Sequence, residues 1–381
     1  MFHHFTNPYV WFWIALAYVW ARRSAQALKT IHASPSIEPR YRYPESQKPL
    51  VSVIIPAKNE ENNIGLCLQS LRDQDYPDYE ILVANDSSAD RTEEILKSFG
   101  DKIRYVNVSP TPKGWTGKNF AIHSAIGLAR GEWFLFTDAD TRHERSSISA
   151  ALSHAEARGI SFLTLLPRCL AEGFLENVLQ PCMMGFTGLW FPLDQVNDPR
   201  SQTFFANGQY LLMESGLYRR IGGHHRVCEA FLEDFALMKN AKAFGAKVEC
   251  ALGISIYGTR MYHSFSAIWR GWRRIFLHAH QKNIGRLLFR MADVFLTSFF
   301  PFVIPLGMIP VTMQAPADYG FLWGMSVIVL GFIEVVAWRA YGIVKAKRRY
   351  VVFFPLGALA LVFILLNAAW VAASGQKTKW R

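Results

Sequence analysis

VSVIIPAKNEENNIGLCLQSL, residues 51–71, is the stretch on which the fold turns. VSVIIPA (51–57) is an apolar run. Glu60-Glu61-Asn62-Asn63 then makes a polar helix start, and a helix through Leu66, Leu68 and Leu71 ends near Asp73. The alternation repeats downstream. EILVAND (80–86) reads as a second strand, and residues 87–98 as a helix capped by Ser88 or Asp90. IRYVNV (103–108) is a third strand, residues 118–129 a helix closed by Arg130-Gly131, and WFLFT (133–137) a fourth strand. Near-continuous apolar strands separated by helices predict an α/β fold, with a mostly parallel sheet covered on both faces. Such sheets bind ligands beyond the carboxyl ends of their strands.

Polar residues stand at those ends. Asn59-Glu60 follows the first strand, Asn85-Asp86-Ser87-Ser88 the second, and Asp138-Ala139-Asp140 the fourth. Two carboxylates at i and i+2 past a buried strand can share one hard divalent cation and the diphosphate it neutralises. A lone DxD is also an ordinary solvated turn, but polar sites at successive strand ends of one sheet argue for a ligand. PKGWTGKNFAIHSA (112–125) adds Gly114 and Gly117, which let backbone approach a ligand, and Lys118, which can offset phosphate charge. It is not a P-loop, because GWTGKN lacks the four-residue spacing and the Ser/Thr after the Lys. His143, three residues after Asp140, is a candidate further contact to metal or phosphate. His224 and His225 follow a Gly-Gly turn that can face a site.

In combination, the first stretch, EILVANDSSADRTEEI and FTDAD resemble the nucleotide-binding half of family-two glycosyltransferases of the GT-A fold, over residues 50–260. The resemblance implies a nucleotide-sugar site that includes Pro56, Asn59, Glu60, Asp86, Lys118 and Asp138, with Glu60 and Asp86 on the nucleoside. It implies that Asp138 and Asp140 hold the diphosphate through Mg²⁺ or Mn²⁺, Asp140 being the more direct ligand. FFANGQYLLMESGLYRRIGGHHRV (204–227) and EAFLEDFALMKNAKAFGAKV (229–248) resemble the acceptor half, in which the ED pair opening a helix supplies the catalytic base. That maps to Glu233-Asp234, with Asp234 as the base. The chemistry requires one: a hydroxyl attacking the anomeric carbon must lose its proton as the bond forms. A metal-stabilised diphosphate leaves without a general acid.

More narrowly, KGWTGKNFA, FTDADTRHE, LEDFALMKNAKAFG and RMYHSFSAIWRGW resemble bacterial membrane glycosyltransferases associated with hopanoid and carotenoid biosynthesis, whose implied acceptors are isoprenoid lipids. Processive family members carry (Q/R)xxRW near residue 270. Here Arg270-Gly271-Trp272-Arg273-Arg274 matches the arginines and lacks the tryptophan, which weakens the case for a polymerising synthase. The implied activity is inverting transfer of one sugar, from a UDP-sugar or similar donor, to a membrane lipid at the cytoplasmic face. The alternatives are a polyprenyl-phosphate or sphingolipid acceptor, or a catalytically idle membrane scaffold of the same fold.

Composition agrees with a membrane enzyme. The 381 residues are 51% hydrophobic and 19% charged, which excludes a disordered chain. The net charge of +11 is unevenly placed: residues 51–260 carry 21 basic and 25 acidic side chains, whereas residues 261–381 carry 14 and 3. A basic nucleic-acid binder is therefore not expected. Five scattered cysteines without a CxxC pair suggest neither disulfide framework nor zinc cage. Runs at 294–313, 319–338 and 350–373 approach the length that crosses a bilayer, the first kinked or re-entrant at Pro301, Pro305 and Pro310. Residues 1–22 read as an uncleaved anchor, since Arg22 and Arg23 follow the apolar run. Residues 262–292 read as amphipathic interfacial helices, with His278 and His280 among them. Arg22, Arg23 and Lys29, and then Lys345, Lys347, Arg348 and Arg349, mark cytoplasmic segments of a multi-pass inner-membrane protein. The short loop 314–318 and the tail with Lys377, Lys379 and Arg381 fall outside.

Overall fold

The computed structural model describes residues 7–39 and 48–376; the basic tail and residues 1–6 of the N-terminal anchor lie outside them. The chain divides into two compact units. One comprises residues 31–170 and 193–261, the other residues up to 30, 171–192 and the chain from 262.

A first helix, α1 (Pro8–Ala33), precedes the sheet-bearing unit. There the chain runs β1 (Val51–Ala57), α2 (Ile64–Arg72), β2 (Tyr79–Asn85), α3 (Thr92–Ser98), β3 (Arg104–Asn107), α4 (Gly117–Ile126) and β4 (Trp133–Phe136). It continues through β5 (Thr141–His143), α5 (Ser147–Arg158), β6 (Phe162–Leu166) and β7 (Arg168–Cys169). After α6 (Phe174–Trp190), in the other unit, come α7 (Leu193–Val196), β8 (Leu211–Glu214), α8 (Ser215–Arg220), α9 (Gly223–Arg226), α10 (Glu233–Ala243), β9 (Val248–Leu252) and β10 (Tyr257–Thr259).

Seven strands form the main sheet, in the order β3-β2-β1-β4-β8-β6-β9. The first four are mutually parallel, β8 runs antiparallel to both β4 and β6, and β6 pairs with β9 in parallel. A small sheet, β5-β10-β7, lies beside it. Every residue of β1 is buried, so its apolar run packs against core on both faces. Ser52 tolerates this burial because its hydroxyl donates to Glu80 (2.7 Å) and accepts the N–H of Gly131 (2.8 Å). A Cβ at Gly131 would come within 2.6–2.8 Å of backbone atoms of Ser52, Trp133 and Leu50, so only glycine fits the turn into β4.

Two helix starts differ from the sequence reading. The first helix after β1 begins at Ile64, because residues 58–63 are tied to the loop after β2 instead. The next begins at Thr92 rather than 87. Asp90 does serve that start, accepting the N–H of Thr92 at 3.0 Å, whereas Ser88 accepts the N–H of Asn59.

The second unit is helical. α11 (Phe265–Ala279) and α12 (Ile284–Val294) lead through a π-helical turn, Phe295–Phe299, into α13 (Phe300–Gln314), followed by α14 (Pro316–Ile343) and α15 (Phe354–Ser374). Among the described residues, three segments are long and apolar enough to cross a membrane: Ile284–Gln314, Tyr319–Ile343 and Arg348–Ser374. The chain is thus a membrane protein by its helices. The π turn answers to Pro301. Lacking an N–H, Pro301 cannot bond the carbonyl of Thr297, which instead accepts the indole N–H of Trp20 on α1 at 2.8 Å. The loop expected at 314–318 contracts to Ala315, because Pro316, with φ already helical, starts the next helix at once. α1 continues past Arg22 to Ala33 and is not one of the three spanning-length segments; Arg23 on it forms a bidentate 2.7 Å pair with Asp293.

Candidate active site

The topology gathers chemistry at one sheet edge. β1 and β4 are paired in parallel with Ile54 beside Phe136, so Pro56 and Asp138 emerge together two residues further on. β8 runs the other way, with Leu211 beside Phe136, so the chain entering it at Gly208 arrives at the same edge. The first turns of α4 and α10 bring Lys118 and Glu233-Asp234 to it. Pro56, Lys118, Asp138, Gly208, Glu233 and Asp234 accordingly line one recess, with Thr137 and His224.

The charges there are interlocked. The Lys118 ammonium lies 2.8 Å from Asp138 Oδ1 and 2.7 Å from Glu233 Oε1. Burial would lower its pKa, but Asp138, Glu233 and Asp234 outweigh burial and hold it above the usual lysine range. Asp234 Oδ2 accepts the N–H of Gly208 at 2.7 Å, and Oδ1 accepts that of Phe235 at 2.9 Å. Burial, then the adjacent Glu233, pushes its carboxyl up to about 7, against the opposing pull of Lys118 and the two N–H groups. A carboxylate poised near neutrality can accept a proton in the working pH range.

Asn59, Glu60 and Asp86 make a second group, at the ends of β1 and β2. The two loops are laced together. Asn59 N–H donates to Ser88 Oγ (3.0 Å), Ala89 N–H to Asn59 Oδ1 (2.8 Å), and Glu60 N–H to Thr92 Oγ1 (2.8 Å). Asn63 Nδ2 donates to Glu60 Oε2, and Lys58 Nζ lies 3.0 Å from Asp86 Oδ2. Asn59 and Ser87 hold positive φ (55° and 52°), and both stand at the strand exits where the laced loops turn.

Asp140 is not among the residues lining the recess; its Oδ1 accepts from Thr259 Oγ1 at 3.3 Å. No group of three or more metal-ligating side chains is present among the described residues. Two carboxylates still fit Mg²⁺ or Mn²⁺, which commonly take one or two protein carboxylates and fill the remaining positions with phosphate oxygens and water. The one imidazole of the recess, His224, has its Nδ1 engaged by Tyr218 Oη, and no thiol lines it, so the donor set is that of a hard metal.

His143 departs from expectation. It is buried, its Nε2 lies 3.1 and 3.0 Å from the hydroxyls of Thr137 and Thr141, and its Nδ1 3.0 Å from that of Ser147. Burial, then Arg142, lowers its pKa to about 3. It is a neutral core residue with both nitrogens engaged, not a metal contact. Of the histidine pair, His224 is buried with Nδ1 2.9 Å from Tyr218 Oη, and burial, then Lys118 and His123, lowers its pKa to about 3. His225 is exposed near Trp115. Sequence reasoning missed Gly208 and Lys58. Both stand in quoted motifs, but neither has a spacing that marks it.

Residues 52–213 match the family model described as Glycosyl transferase family 2. The 4,4'-diaponeurosporenoate glycosyltransferase of Staphylococcus aureus strain USA300 is 26% identical over 234 residues, 59% of this chain and 60% of that protein. The same-named protein of strain MRSA252 is 27% identical over 235 residues, again 59% and 60%. The chain thus spans about three-fifths of the length of these relatives. Among solved structures, the mannosyltransferase PcManGT from Pyrobaculum calidifontis, in complex with GDP-Man and Mn²⁺, aligns over 96% of this chain and 99% of its own, with a TM-score of 0.51 at 17% identity. That is a likeness of fold. Family match and relatives support a family-two glycosyltransferase over residues 52–213, and the fold is that of the GT-A type.

Proposed function

We propose that this protein transfers a single sugar, with inversion, from a nucleotide-sugar donor to a lipid acceptor of the membrane. The observation that carries the reading is the convergence of Lys118, Asp138, Glu233 and Asp234 at the carboxyl edge of β1 and β4, held by salt bridges of 2.7–2.8 Å and the Gly208 hydrogen bond.

Each residue takes a role its surroundings support. Asp234 accepts the proton of the attacking acceptor hydroxyl, oriented by the N–H groups of Gly208 and Phe235. Glu233 helps to keep Asp234 near neutrality and anchors Lys118. Lys118 offers positive charge where the donor diphosphate lies, and Asn59, Glu60, Asp86 and Pro56 contact the nucleoside side of the donor. Asp138 and Asp140 would hold Mg²⁺ or Mn²⁺, which when bound neutralises the diphosphate as it departs. Displacement in line with that departure inverts the anomeric centre.

The donor is proposed to be a UDP-sugar. The acceptor is proposed to be isoprenoid, carotenoid- or hopanoid-like, on the strength of the relatives' diaponeurosporenoate name and three bilayer-length helices. The catalytic unit faces the cytoplasm of a bacterial inner membrane, since Arg22, Arg23 and Lys29 precede it and the 345–349 cluster lies between the last two spans. In this topology α1 supplies a fourth crossing. Lipid extracts from cells with and without the protein, compared by mass spectrometry, should differ by one hexose-sized increment on a neutral or acidic isoprenoid. Identical extracts, with no sugar transfer by the purified protein to such lipids, would overturn the reading.

A further inference from the structure

The helical unit buries cationic and imidazole nitrogens that lack partners. Seven buried side-chain polar atoms have no hydrogen bond among the described residues, and three are Arg273 Nε, His280 Nε2 and Arg290 Nε, all between the start of α11 and the end of α12. An orphaned buried donor costs about 1–3 kcal/mol, and more for a charged group, so such groups recur where something binds.

His280 and Arg290 share one wall. The His280 ring is 2% exposed and lies 5.4 Å from Trp190 and 6.1 Å, stacked, from Phe191. The Arg290 guanidinium lies over the same Trp190 at 5.2 Å. No Asp or Glu occurs in residues 262–292; the next carboxylate, Asp293, attracts Arg290 electrostatically but takes both of its 2.7 Å hydrogen bonds from Arg23, so two arginines share one negative charge. Burial, then the charges of Arg290 and Arg286, lowers the His280 pKa to about 4, so the imidazole is neutral. The cluster therefore presents a guanidinium edge whose carboxylate is shared with Arg23, and an imidazole nitrogen with no hydrogen-bond partner. Its setting identifies what else the ligand carries. Arg290 lies within the apolar segment Ile284–Gln314, where Leu288, Phe289 and Leu296 are exposed.

We propose that His280 and Arg290, on the Trp190 wall, form a binding site for the anionic head, carboxylate or phosphate, of an amphiphile whose tail follows the exposed side of Ile284–Gln314. An anion balances the positive charge that Asp293, shared between Arg23 and Arg290, does not offset, and it accepts hydrogen bonds from both orphaned groups. An apolar tail alone would leave both groups unpaired. This site is independent of the glycosyl-transfer reading.

The test uses the full-length delipidated protein in detergent micelles, with labelled palmitate and labelled phosphatidic acid as probes. Phosphatidylcholine and inorganic phosphate serve as competitors. The wild type should retain one equivalent of an acidic amphiphile that neither phosphatidylcholine nor millimolar phosphate displaces. Tighter retention of palmitate assigns the head as a carboxylate, and tighter retention of phosphatidic acid as a lipid phosphate. Arg290→Gln should weaken retention about 10- to 100-fold, the range of a lost charge-assisted contact. His280→Phe keeps the ring stacking and removes both nitrogens; it should weaken retention to a lesser degree, with an unchanged melting temperature, and does not depend on Arg290→Gln folding. Equal retention by wild type and His280→Phe, or displacement by phosphatidylcholine as readily as by acid, overturns the proposal.

Discussion

The backbone N–H of Gly208 donates a 2.7 Å hydrogen bond to Asp234 Oδ2, joining the entry to β8 to the first turn of α10. A Cβ on residue 208 would lie 3.3 Å from that oxygen, from Glu233 Oε1 and from Lys118 Nζ alike. One small residue thus sets the spacing of three charged groups. Gly208→Ala should reduce kcat/KM about 10-fold or more, since sub-ångström misplacement of a reacting group is costly. Its stability cost should be about 1–3 kcal/mol, as for an overpacked methyl. Steady-state kinetics and thermal melts check both, and an unchanged kcat/KM would place the reaction elsewhere.

Asp234 should govern the pH dependence. Its carboxyl titrates near 7, so below that pH it holds a proton and cannot accept another. The kcat/KM of the wild type should rise with pH through about 7 and then level off. Asp234→Asn should lose most activity and the rising limb with it. Stability carries the opposite sign: with the folded pKa raised, the protonated form favours the fold, and stability falls as pH rises through about 7. Denaturation of Asp234→Asn between pH 5 and 8 should show a smaller fall. Near-wild-type turnover by this variant would instead favour an acceptor that needs no base, such as a phosphate.

Lys118→Met leaves Asp138 and Glu233 without their shared cation. Removing one partner from a buried charge cluster typically costs about 3–5 kcal/mol, and the partial exposure of Asp138 places this case at the lower end. Donor affinity, measured by calorimetry with a UDP-sugar, should fall as well. Lys118→Arg should recover stability more than turnover, because a planar fork cannot reproduce two contacts made by one compact ammonium.

Divalent cation should be required for turnover and not for folding. Excess EDTA should abolish transfer, Mn²⁺ or Mg²⁺ should restore it, and the melting temperature of the donor-free protein should change little, because salt bridges already satisfy Asp138. Asp140→Ala should be inactive at all metal concentrations. Transfer that survives EDTA would remove the metal from the mechanism.

His143→Leu should behave as a core substitution. Thr137 and Thr141 keep their 2.8 Å bonds to the carbonyls of Gln209 and Asp138, so the cost falls mainly on the Ser147 hydroxyl, at about 1–3 kcal/mol. Donor and metal affinity should be unaltered in the folded fraction, as calorimetry can establish.

Much of this was legible from the chain. The β1, β2 and β4 strands announced themselves as apolar runs ending in polar residues, because a strand buried on both faces has no polar positions until it leaves the core. DxD and ED stood out as carboxylate pairs at element ends. Less legible were the partners. His143 and His224 look equally available in sequence, yet one is sealed among hydroxyls in the core and the other lines the recess beside Lys118. Nothing in GWTGKN says that its lysine joins two carboxylates ninety and more positions apart in the chain. The three prolines of 294–313 foretold a disturbed helix, but not that the carbonyl spared by Pro301 would receive Trp20 from α1.

By itself, then, the sequence determined the parallel sheet, the spanning helices and the residue types at the strand exits. These follow from periodicity, run length and charge placement, which are local properties of a chain in water or lipid. Tertiary structure alone decided which carboxylate titrates near neutrality, which histidine is inert and which buried nitrogens lack a hydrogen bond. Those depend on burial and on charges only a few ångströms apart in space, brought together from α4, β4 and α10, or from α6 and the α11–α12 segment, by folding.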